Sequence, residues 1–430
     1  MRRQHEMPLI LLAALAACTC SSDDSSTADG HTIADFRSDE AGADADIGTS
    51  PDLTPPPIRV VVTSNKVVAD GDGSPYDHVR WGTDHIVVSS QWFRRFSADG
   101  DLVLEKALPM VDIPGGKAPL EVGRLAAGKK LIGAIIGDRK GEYRFTTIAP
   151  DGTIELPGQL MGTKRPGEFD LVPTSSGFVV LTCYSDLSGK KTEGKMQLAD
   201  HDGKLLGSPV KVADHCQEYV KALPDGRISY FTIPFYGLQH GLMQPDPQNP
   251  ELTLSVPLAA GMPRHEGGCN RVWHTTHEGA TWVGYGNLDK KGHVLLYNVE
   301  KAGKGLLPKM QEFSTRSNDM RCIGDVATDG EHFLVVYGEE GYDPSFPVHA
   351  LFKWRARVFD LDGTPVGPAQ PLPIPHSIHN RVGGAMASQS QLIWTGDDGT
   401  GTKDFVLFYW EEQLQFALGP MRMVRLELQE

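Results

Sequence analysis

The sequence has no long hydrophobic run and few basic residues, and each shortage excludes a class of protein. No apolar stretch reaches about 18 residues, so no segment is expected to span a membrane. The 430 residues hold 41 Lys and Arg against 55 Asp and Glu, which gives a net charge of −14. That balance argues against nucleic acid as a partner, because phosphate binding needs a basic surface. Hydrophobic residues make up 40%, enough for a large core, so most of the chain is expected to be globular.

Recognised catalytic motifs are missing as well. The sequence contains no Gly-x-Ser-x-Gly nucleophile elbow and no glycine loop of the phosphate-binding type. His265-Glu266 and His277-Glu278 both lack the second histidine of a His-Glu-x-x-His zinc motif. The sequence therefore assigns no catalytic residue, no cofactor and no metal site.

The N-terminus carries a targeting signal. Arg2 and Arg3 precede a nine-residue apolar run, which has the length of a signal-peptide core. The run ends in Leu15-Ala16-Ala17-Cys18, which resembles the lipobox of bacterial lipoproteins. The resemblance implies removal of residues 1–17, a diacylglycerol on the thiol of Cys18, and a second acyl chain such as palmitate on its amine. Two chains give stable anchoring. Cleavage by ordinary signal peptidase is the alternative.

Residues 18–57 are expected to form a disordered tether. The residues after Cys18 hold nine acidic residues and one basic residue, Arg37, and end in three prolines. Such a segment buries too little apolar surface to offset the entropy of ordering it. Thr19 follows Cys18 in place of the aspartate that signals inner-membrane retention, so the outer membrane is favoured. The lipid is then the only membrane contact, and either the periplasmic or the exposed side of the envelope is open.

The body, residues 58–430, reads as an all-β repeat protein. Short runs of Val, Ile, Phe and Tyr alternate with Gly, Asp and Pro turns, and no helical periodicity is sustained. Asp-Gly turns recur after strands, with one degenerate copy. Their glycines are separated by 52, 51, 100 and 60 residues, the third gap being two periods, at Gly100, Gly152, Gly203, Gly303 and Gly363. Regular spacing of this kind indicates stacked structural repeats.

Seven repeats are expected. Each period contains one apolar strand, at Ile86–Ser89, Leu131–Ile136, Phe178–Thr182, Ile228–Ile233, Thr281–Gly284, Phe333–Tyr337 and Leu392–Thr395. A period of roughly 45–60 residues has room for four short strands, which predicts a seven-bladed β-propeller of four-stranded antiparallel blades. An open β-solenoid is the rival. The ring is expected to close through Ile58–Val62 and Met421–Leu428, and the sequence leaves open which of the two is the outer strand.

Each predicted blade offers one charged or titratable residue where its innermost strand begins. The last blade is aligned on His379-Asn380-Arg381, and the full set is His78, Glu121, Asp170, Glu218, Arg271, Asp325 and Arg381. In a structural role these residues would satisfy one another as an ion-pair ring around the channel. In a functional role the clustered carboxylates would raise a pKa for acid–base chemistry.

The loops that enter the innermost strands of blades 4 to 7 are rich in His and Arg. With the inner-strand residues they form a candidate binding face of His78, His215, Glu218, His265, Glu266, Arg271, Asp325, His379 and Arg381. The favoured hypothesis is a non-enzymatic propeller that binds a protein or a glycan. The alternative is an exported polysaccharide lyase or hydrolase, in which a histidine beside an arginine removes a proton and stabilises an enolate. A zinc or manganese site of His215, His265 and His379 is a further alternative without supporting spacing.

The four cysteines of the body suggest disulfides, because export implies an oxidising compartment. Cys216, Cys269 and Cys322 are separated by 53 and 53 residues, so they occupy equivalent positions in consecutive blades. Cys183 ends a second strand on the same face as Cys216. The favoured pairs are Cys183–Cys216 and Cys269–Cys322, while the other connectivities and a three-thiolate metal site stay open.

Overall fold

The structure is a computed structural model. It describes residues 58–69, 77–89, 91–113, 116–137, 143–156, 158–161, 168–185, 192–213, 218–223, 226–232, 239–245, 253–254, 272–277, 280–287, 293–298, 324–341, 349–375, 377–380, 391–397, 403–412 and 418–429. These residues form antiparallel β-strands, and none of them lies in a helix.

The first strand is β1 (Arg59–Ala69), and four strands follow it as one sheet. In order they are β2 (Asp77–Trp81), β3 (Asp84–Val88), β4 (Trp92–Phe96) and β5 (Leu102–Ala107). The strands β6 (Met110–Ile113) and β7 (Gly116–Pro119) follow and form a separate two-stranded hairpin.

Three further four-stranded sheets repeat the same meander. The first contains β8 (Glu121–Ala127), β9 (Ile132–Gly137), β10 (Tyr143–Ile148) and β11 (Gln159–Leu160). The second contains β12 (Glu168–Thr174), β13 (Gly177–Ser185), β14 (Thr192–Asp200) and β15 (Leu205–Ala213). The third contains β16 (Glu218–Ala222), β17 (Ile228–Thr232), β18 (Gln239–Gln244) and β19 (Thr253–Leu254).

The remaining strands form a three-stranded and a nine-stranded sheet. The three strands are β20 (Val272–His277), β21 (Ala280–Asn287) and β22 (His293–Asn298). The nine-stranded sheet adds to β1 the strands β23 (Gly324–Thr328), β24 (His332–Gly341), β25 (His349–Asp360), β26 (Gln370–Pro371), β27 (Ser377–Asn380), β28 (Gln391–Asp397), β29 (Lys403–Glu412) and β30 (Leu418–Gln429). It consists of two meanders, β23–β24–β25–β26 and β28–β29–β30–β1, which β27 joins by pairing with both β25 and β29. We call the meanders blades 1 to 7 in the chain order of their innermost strands, β2, β8, β12, β16, β20, β23 and β28.

The core lies between the faces of successive blades. One cluster joins Ile86 of blade 1 to Ile132 of blade 2, and another joins Phe145 of blade 2 to Phe178 of blade 3. Strands that are covered on both faces bury every residue, as β9 does, and this explains why the second strands read as continuous apolar runs. The predicted apolar strands are therefore correct for blades 1 to 6.

The N-terminal strand supplies the outer strand of the last blade. β1 pairs with β30 over its whole length, from Arg59 opposite Gln429 to Ala69 opposite Met421. The predicted pairing between the two ends of the body is confirmed. It also resolves the question that the sequence left open, because β30 is the third strand of its blade and β1 the fourth.

Four of the predicted turns, at Gly100, Gly152, Gly203 and Gly363, lie within the described residues, and each joins the third and fourth strands of its blade. At the turn of blade 3 the Gly203 N–H donates to the Asp200 carbonyl at 3.1 Å, and the Asp200 N–H donates to the Lys204 carbonyl at 3.0 Å. Gly203 has φ of 84°, which only glycine adopts without strain. The arrangement is a tight turn with a glycine bulge, and it recurs with the glycines Gly100, Gly152 and Gly363.

The alignment of the last blade was wrong. Its innermost strand is β28, so Leu392–Thr395 belongs to a first strand and not to a second strand. His379 instead lies in β27, where it pairs with Ala350 of β25, while Arg381 lies outside the described residues. No turn joins the third and fourth strands of the last blade, because β30 and β1 come from opposite ends of the body, so the signal that marks the register of the other blades is missing at this point.

Candidate functional site

The innermost strands follow one another around a common axis. β2, β8, β12, β16, β20, β23 and β28 contact each other in that order. Between the last and the first of them, Arg80 Nη1 donates a hydrogen bond of 3.0 Å to the Trp394 carbonyl. We call five charged residues on these strands the inner ring: Asp77, Arg124, Asp170, Lys221 and Asp325.

Aspartates of the inner ring join neighbouring blades. Asp77 Oδ1 accepts the N–H of His78 at 2.9 Å, and its Oδ2 accepts the N–H of Leu125 in blade 2 at 2.8 Å. Asp325 repeats the pattern, since its Oδ1 accepts the N–H of Val326 at 2.8 Å and its Oδ2 accepts that of Leu392 in blade 7 at 2.7 Å. One carboxylate thus ties its own strand to the first strand of the next blade.

Asp170 is a third member of this set. Its Oδ1 accepts the N–H of Leu171 at 2.8 Å, and a backbone hydrogen bond from Val220 links it to blade 4. Burial raises the pKa of Asp170, while the Arg124 guanidinium, whose Nε lies 3.7 Å from Oδ1, opposes that shift. The ion pair between Arg124 and Asp170 connects blades 2 and 3, as the hydrogen bonds of Asp77 connect blades 1 and 2 and those of Asp325 connect blades 6 and 7.

Two cations of the inner ring were missed by the sequence alignment. Arg124 and Lys221 lie within β8 and β16, beyond the strand starts that the alignment compared. Burial lowers the pKa of Lys221, and the charge of Asp325 acts against that shift. Each of these strands contains a single basic residue, and that residue was the signal that could have located both cations.

Asp77 is another carboxyl of the inner ring whose pKa is raised. Burial raises its pKa to about 6, although Arg124 and the backbone N–H groups of Leu125 and His78 all favour the ionised form. A carboxyl with this pKa titrates close to neutrality. Because both of its oxygens accept backbone hydrogen bonds, the geometry fits a connection between blades and not a general base facing a substrate.

His78 is buried between blades 1 and 7. It is 6% exposed, and its ring packs against that of Phe408 of blade 7 at a centroid distance of 4.1 Å. Successive side chains of a strand point to opposite faces. The side chain of His78 therefore lies in the interface between blades, while that of Asp77 belongs to the inner ring. Burial and the neighbouring His85 lower the pKa of His78 to about 3. The assignment of His78 to the binding face stays a prediction.

Most other candidate residues lie outside the described part of the chain. These are His215, His265, Glu266, Arg271 and Arg381. The backbones of Glu218 and His379 are described, at the start of β16 and within β27, but their side chains are not. The proposed acid–base and zinc arrangements of these histidines therefore stay predictions. Asp325 is the candidate that the structure places in the inner ring.

Cys183 is buried in β13. Cys216, Cys269 and Cys322 lie outside the described residues. The predicted pairs Cys183–Cys216 and Cys269–Cys322 therefore stay predictions.

Four-stranded antiparallel meanders arranged around a shared series of inner strands define the fold as a β-propeller. The chain matches no protein-family profile and no curated protein sequence. The solved WD40 repeats of RRP9 have the same fold, with a TM-score of 0.50 and 12% identity over 86% of this chain and 100% of that chain.

Two other solved structures align less well. U3-55K has a TM-score of 0.48 and 11% identity over 84% of this chain and 98% of that one. A protein of unknown function from Dyadobacter fermentans has a TM-score of 0.47 and 10% identity over 86% and 99%. The similarity to the RRP9 repeats, at 12% identity, shows the fold alone. Within the described residues, no helix has the length and apolar character needed to cross a bilayer.

Proposed function

We propose that this chain is a lipid-anchored β-propeller of the bacterial cell envelope that binds a protein or glycan partner without catalysis. The observation that carries the proposal is the use of the inner-ring carboxylates. Asp77 and Asp325 each bond to the backbones of two blades, so these groups hold the scaffold together. We therefore assign partner binding to two sets of loops. One set runs from the fourth strand of a blade to the first strand of the next, and the other joins the second and third strands of a blade. Loops of this kind carry the variable residues of a fold.

The proposed organisation has three parts. Residues 1–17 are a signal peptide, residues 18–57 are a lipidated acidic tether, and residues 58–430 are a ring of seven blades. The start of the body is supported by Ile58, which is already buried and whose carbonyl accepts a hydrogen bond from Gln370 Nε2 at 2.8 Å. The side chain of Gln370 also accepts the N–H of Val60 at 3.1 Å.

The anchor is tested by substitution of the lipobox cysteine. In a bacterial host that processes lipoproteins, Cys18→Ala is expected to move the protein from the membrane fraction to the soluble fraction, because the thiol that carries the lipid is lost. Cys20→Ala is the matched control and should stay with the membrane. Mass spectrometry of the N-terminal peptide identifies the acyl chains. A soluble wild-type protein, or a Cys18→Ala protein that stays with the membrane, contradicts the anchor.

The binding face is tested by crosslinking in the envelope. The wild-type chain should recover a protein partner or glycan that the double variant His265→Ala, Arg271→Ala recovers at least tenfold less, as is typical when two central contacts are removed. Asp101→Ala changes an exposed residue next to the turn of Gly100 and should leave recovery unchanged. Release of unsaturated products from acidic polysaccharides by the purified protein would overturn the non-catalytic proposal. It would favour a lyase that uses His215, His265, Glu218, Arg271 and His379.

We also propose the pairs Cys183–Cys216 and Cys269–Cys322, each expected to stabilise the body by ~2–4 kcal/mol. In a Cys20→Ser background, thiol labelling of the denatured and non-reduced protein should detect no free thiol in the body. Peptide mapping then identifies the partners. Two or more reactive body thiols, or a mapped bridge between other residues, would contradict this pairing.

A further inference from the structure

The turn between the first and second strands of blade 6 brings three potential metal ligands together. Asp329, Glu331 and His332 each offer one ligand atom, and these atoms lie within 4.8 Å of one another. The turn lies at the opposite end of the blade from the loops that carry the proposed partner, since first-to-second and second-to-third connections alternate between the two faces. Any ligand bound here is therefore distinct from that partner.

The carboxylate of Asp329 is buried and only half used. Its side chain is 1% exposed, and its Oδ1 accepts the N–H groups of Glu331 at 2.8 Å and His332 at 2.6 Å. Its Oδ2 is buried and has no hydrogen-bond partner. A charged oxygen without a partner is unfavourable in a buried place, so this position calls for a cation.

The distance between Asp329 and His332 fits a shared ion better than a hydrogen bond. Asp329 Oδ2 lies 3.7 Å from His332 Nδ1, which is longer than the ~3.2 Å limit of an N–H···O bond. Two ligands of one tetrahedral zinc ion, each about 2.1 Å from the metal, are about 3.4 Å apart. Glu331 is exposed, and its ligand atom lies within 4.8 Å of the other two, so it is the third member of the set.

The backbone of the turn holds these groups in place. Thr328 Oγ1 donates to the His332 carbonyl at 2.8 Å and accepts the N–H of Gly330 at 3.0 Å. Gly330 has φ of 92°, a left-handed conformation that glycine supplies without strain. The loop is therefore fixed before any ion arrives, which favours binding because less ordering is needed.

We propose that Asp329, Glu331 and His332 form a binding site for a divalent transition-metal ion, with zinc as the expected metal. One imidazole and two carboxylates suit zinc or manganese, whereas calcium takes oxygen ligands only. Three protein ligands leave the fourth tetrahedral position to water. The site is independent of the proposed partner binding and adds a metal to a chain whose sequence assigned none.

Calorimetric titration of the metal-stripped, untagged full chain with ZnCl₂ tests the site. Asp329→Asn keeps an oxygen for the backbone N–H groups and replaces the other oxygen with an amide. His332→Ala removes the imidazole. Each is expected to raise the Kd for zinc at least tenfold or to abolish one binding event, because each loses a direct ligand. The matched control is His201→Ala, in a turn that also holds Asp200 and Asp202 but is not among the converging clusters of the described residues. It should leave that binding event unchanged.

A spectroscopic readout and a surface variant keep the test decisive. Cobalt substituted for zinc should give visible absorption bands in the wild-type chain that His332→Ala loses. Circular dichroism checks that each variant is folded. If Asp329→Asn does not fold, Glu331→Gln replaces it as the test variant, because an exposed side chain is not needed for folding. The proposal is overturned if the wild-type chain binds no zinc. It is also overturned if Asp329→Asn, Glu331→Gln and His332→Ala bind zinc with the wild-type Kd and stoichiometry.

Discussion

Replacing His85 with leucine is expected to protect the fold against acid. His85 is fully buried in β3, both of its ring nitrogens lack hydrogen-bond partners, and its ring lies 5.2 Å from that of Phe408. Burial, with smaller effects from the charges of Arg80 and Arg425, lowers its pKa from 6.5 to about 4, while Asp84 acts in the opposite direction. The folded protein therefore holds His85 in its neutral form. The histidine at position 78 lies against the same aromatic ring.

The sign of the pH effect follows from the lowered pKa. Between pH 6.5 and about 4 the unfolded chain protonates His85 and the folded chain does not, so the free energy of unfolding falls as the pH falls. The loss is up to about 1.4 kcal/mol per pH unit for one histidine. Asp77 works in the opposite direction, because its pKa is raised to about 6 in the folded state and its protonation there favours folding. That contribution is common to the wild type and the leucine variant and cancels in their difference.

Urea unfolding at a series of pH values measures this difference. The variant should gain on the wild type as the pH falls from 6.5, and the gain should level off near pH 4, the pKa of His85 in the folded state. Val87→Ala is the matched control, because Val87 is buried in the same strand and cluster but does not titrate. Its effect on stability should not change with pH. Parallel stability curves for His85→Leu and the wild type would show that the histidine does not cause the acid sensitivity.

Removing the Asp325 carboxylate is expected to have the second large effect. Asp325→Ala leaves the N–H groups of Val326 and Leu392 without their acceptor, and both residues lie in the core, at 0% and 4% exposure. An unsatisfied buried donor costs about 1–3 kcal/mol, so the free energy of unfolding should fall by about 2–4 kcal/mol. Asp325→Asn keeps one acceptor oxygen and should lose less.

The control for this prediction is a carboxylate at the rim. Asp101 pairs with Lys66 at 2.6 Å, but its side chain is 75% exposed, so Asp101→Ala should cost no more than about 1 kcal/mol. Chemical denaturation of the three variants beside the wild type gives the comparison. Equal losses for Asp325→Ala and Asp101→Ala would refute the role of the inner-ring aspartates in holding blades together.

The parts of the fold that depend on local chemistry were predictable from the sequence. Glycine turns such as the one at Gly203 obey rules that involve only a few neighbouring residues, and the predicted turns at Gly100, Gly152, Gly203 and Gly363 are present in the structure. The last blade was not predictable in the same way. Its third and fourth strands are separated by the whole body, and no local signal fixes the register of β28.

The candidate site shows the same division. Asp325 was found because a repeat alignment places equivalent residues at equivalent depths. In the first blade the sequence analysis selected His78 and not its neighbour Asp77. The sequence does not show which of two adjacent side chains points toward the next blade. Arg124 lies deeper in its strand and was missed because its role depends on Asp170 in another blade, which is 3.7 Å away in space.

The pairing of β1 with β30 also imposes an order on folding during synthesis. Arg59 lies opposite Gln429, so the first strand of the body to emerge has to wait for the last one before its hydrogen bonds can form. Until then β1 is an unpaired strand, which is the kind of element that chaperones protect and that pairs wrongly with other chains. A chain that lacks β30 cannot complete this pairing at all. The last blade can therefore close only after the whole body has been synthesised.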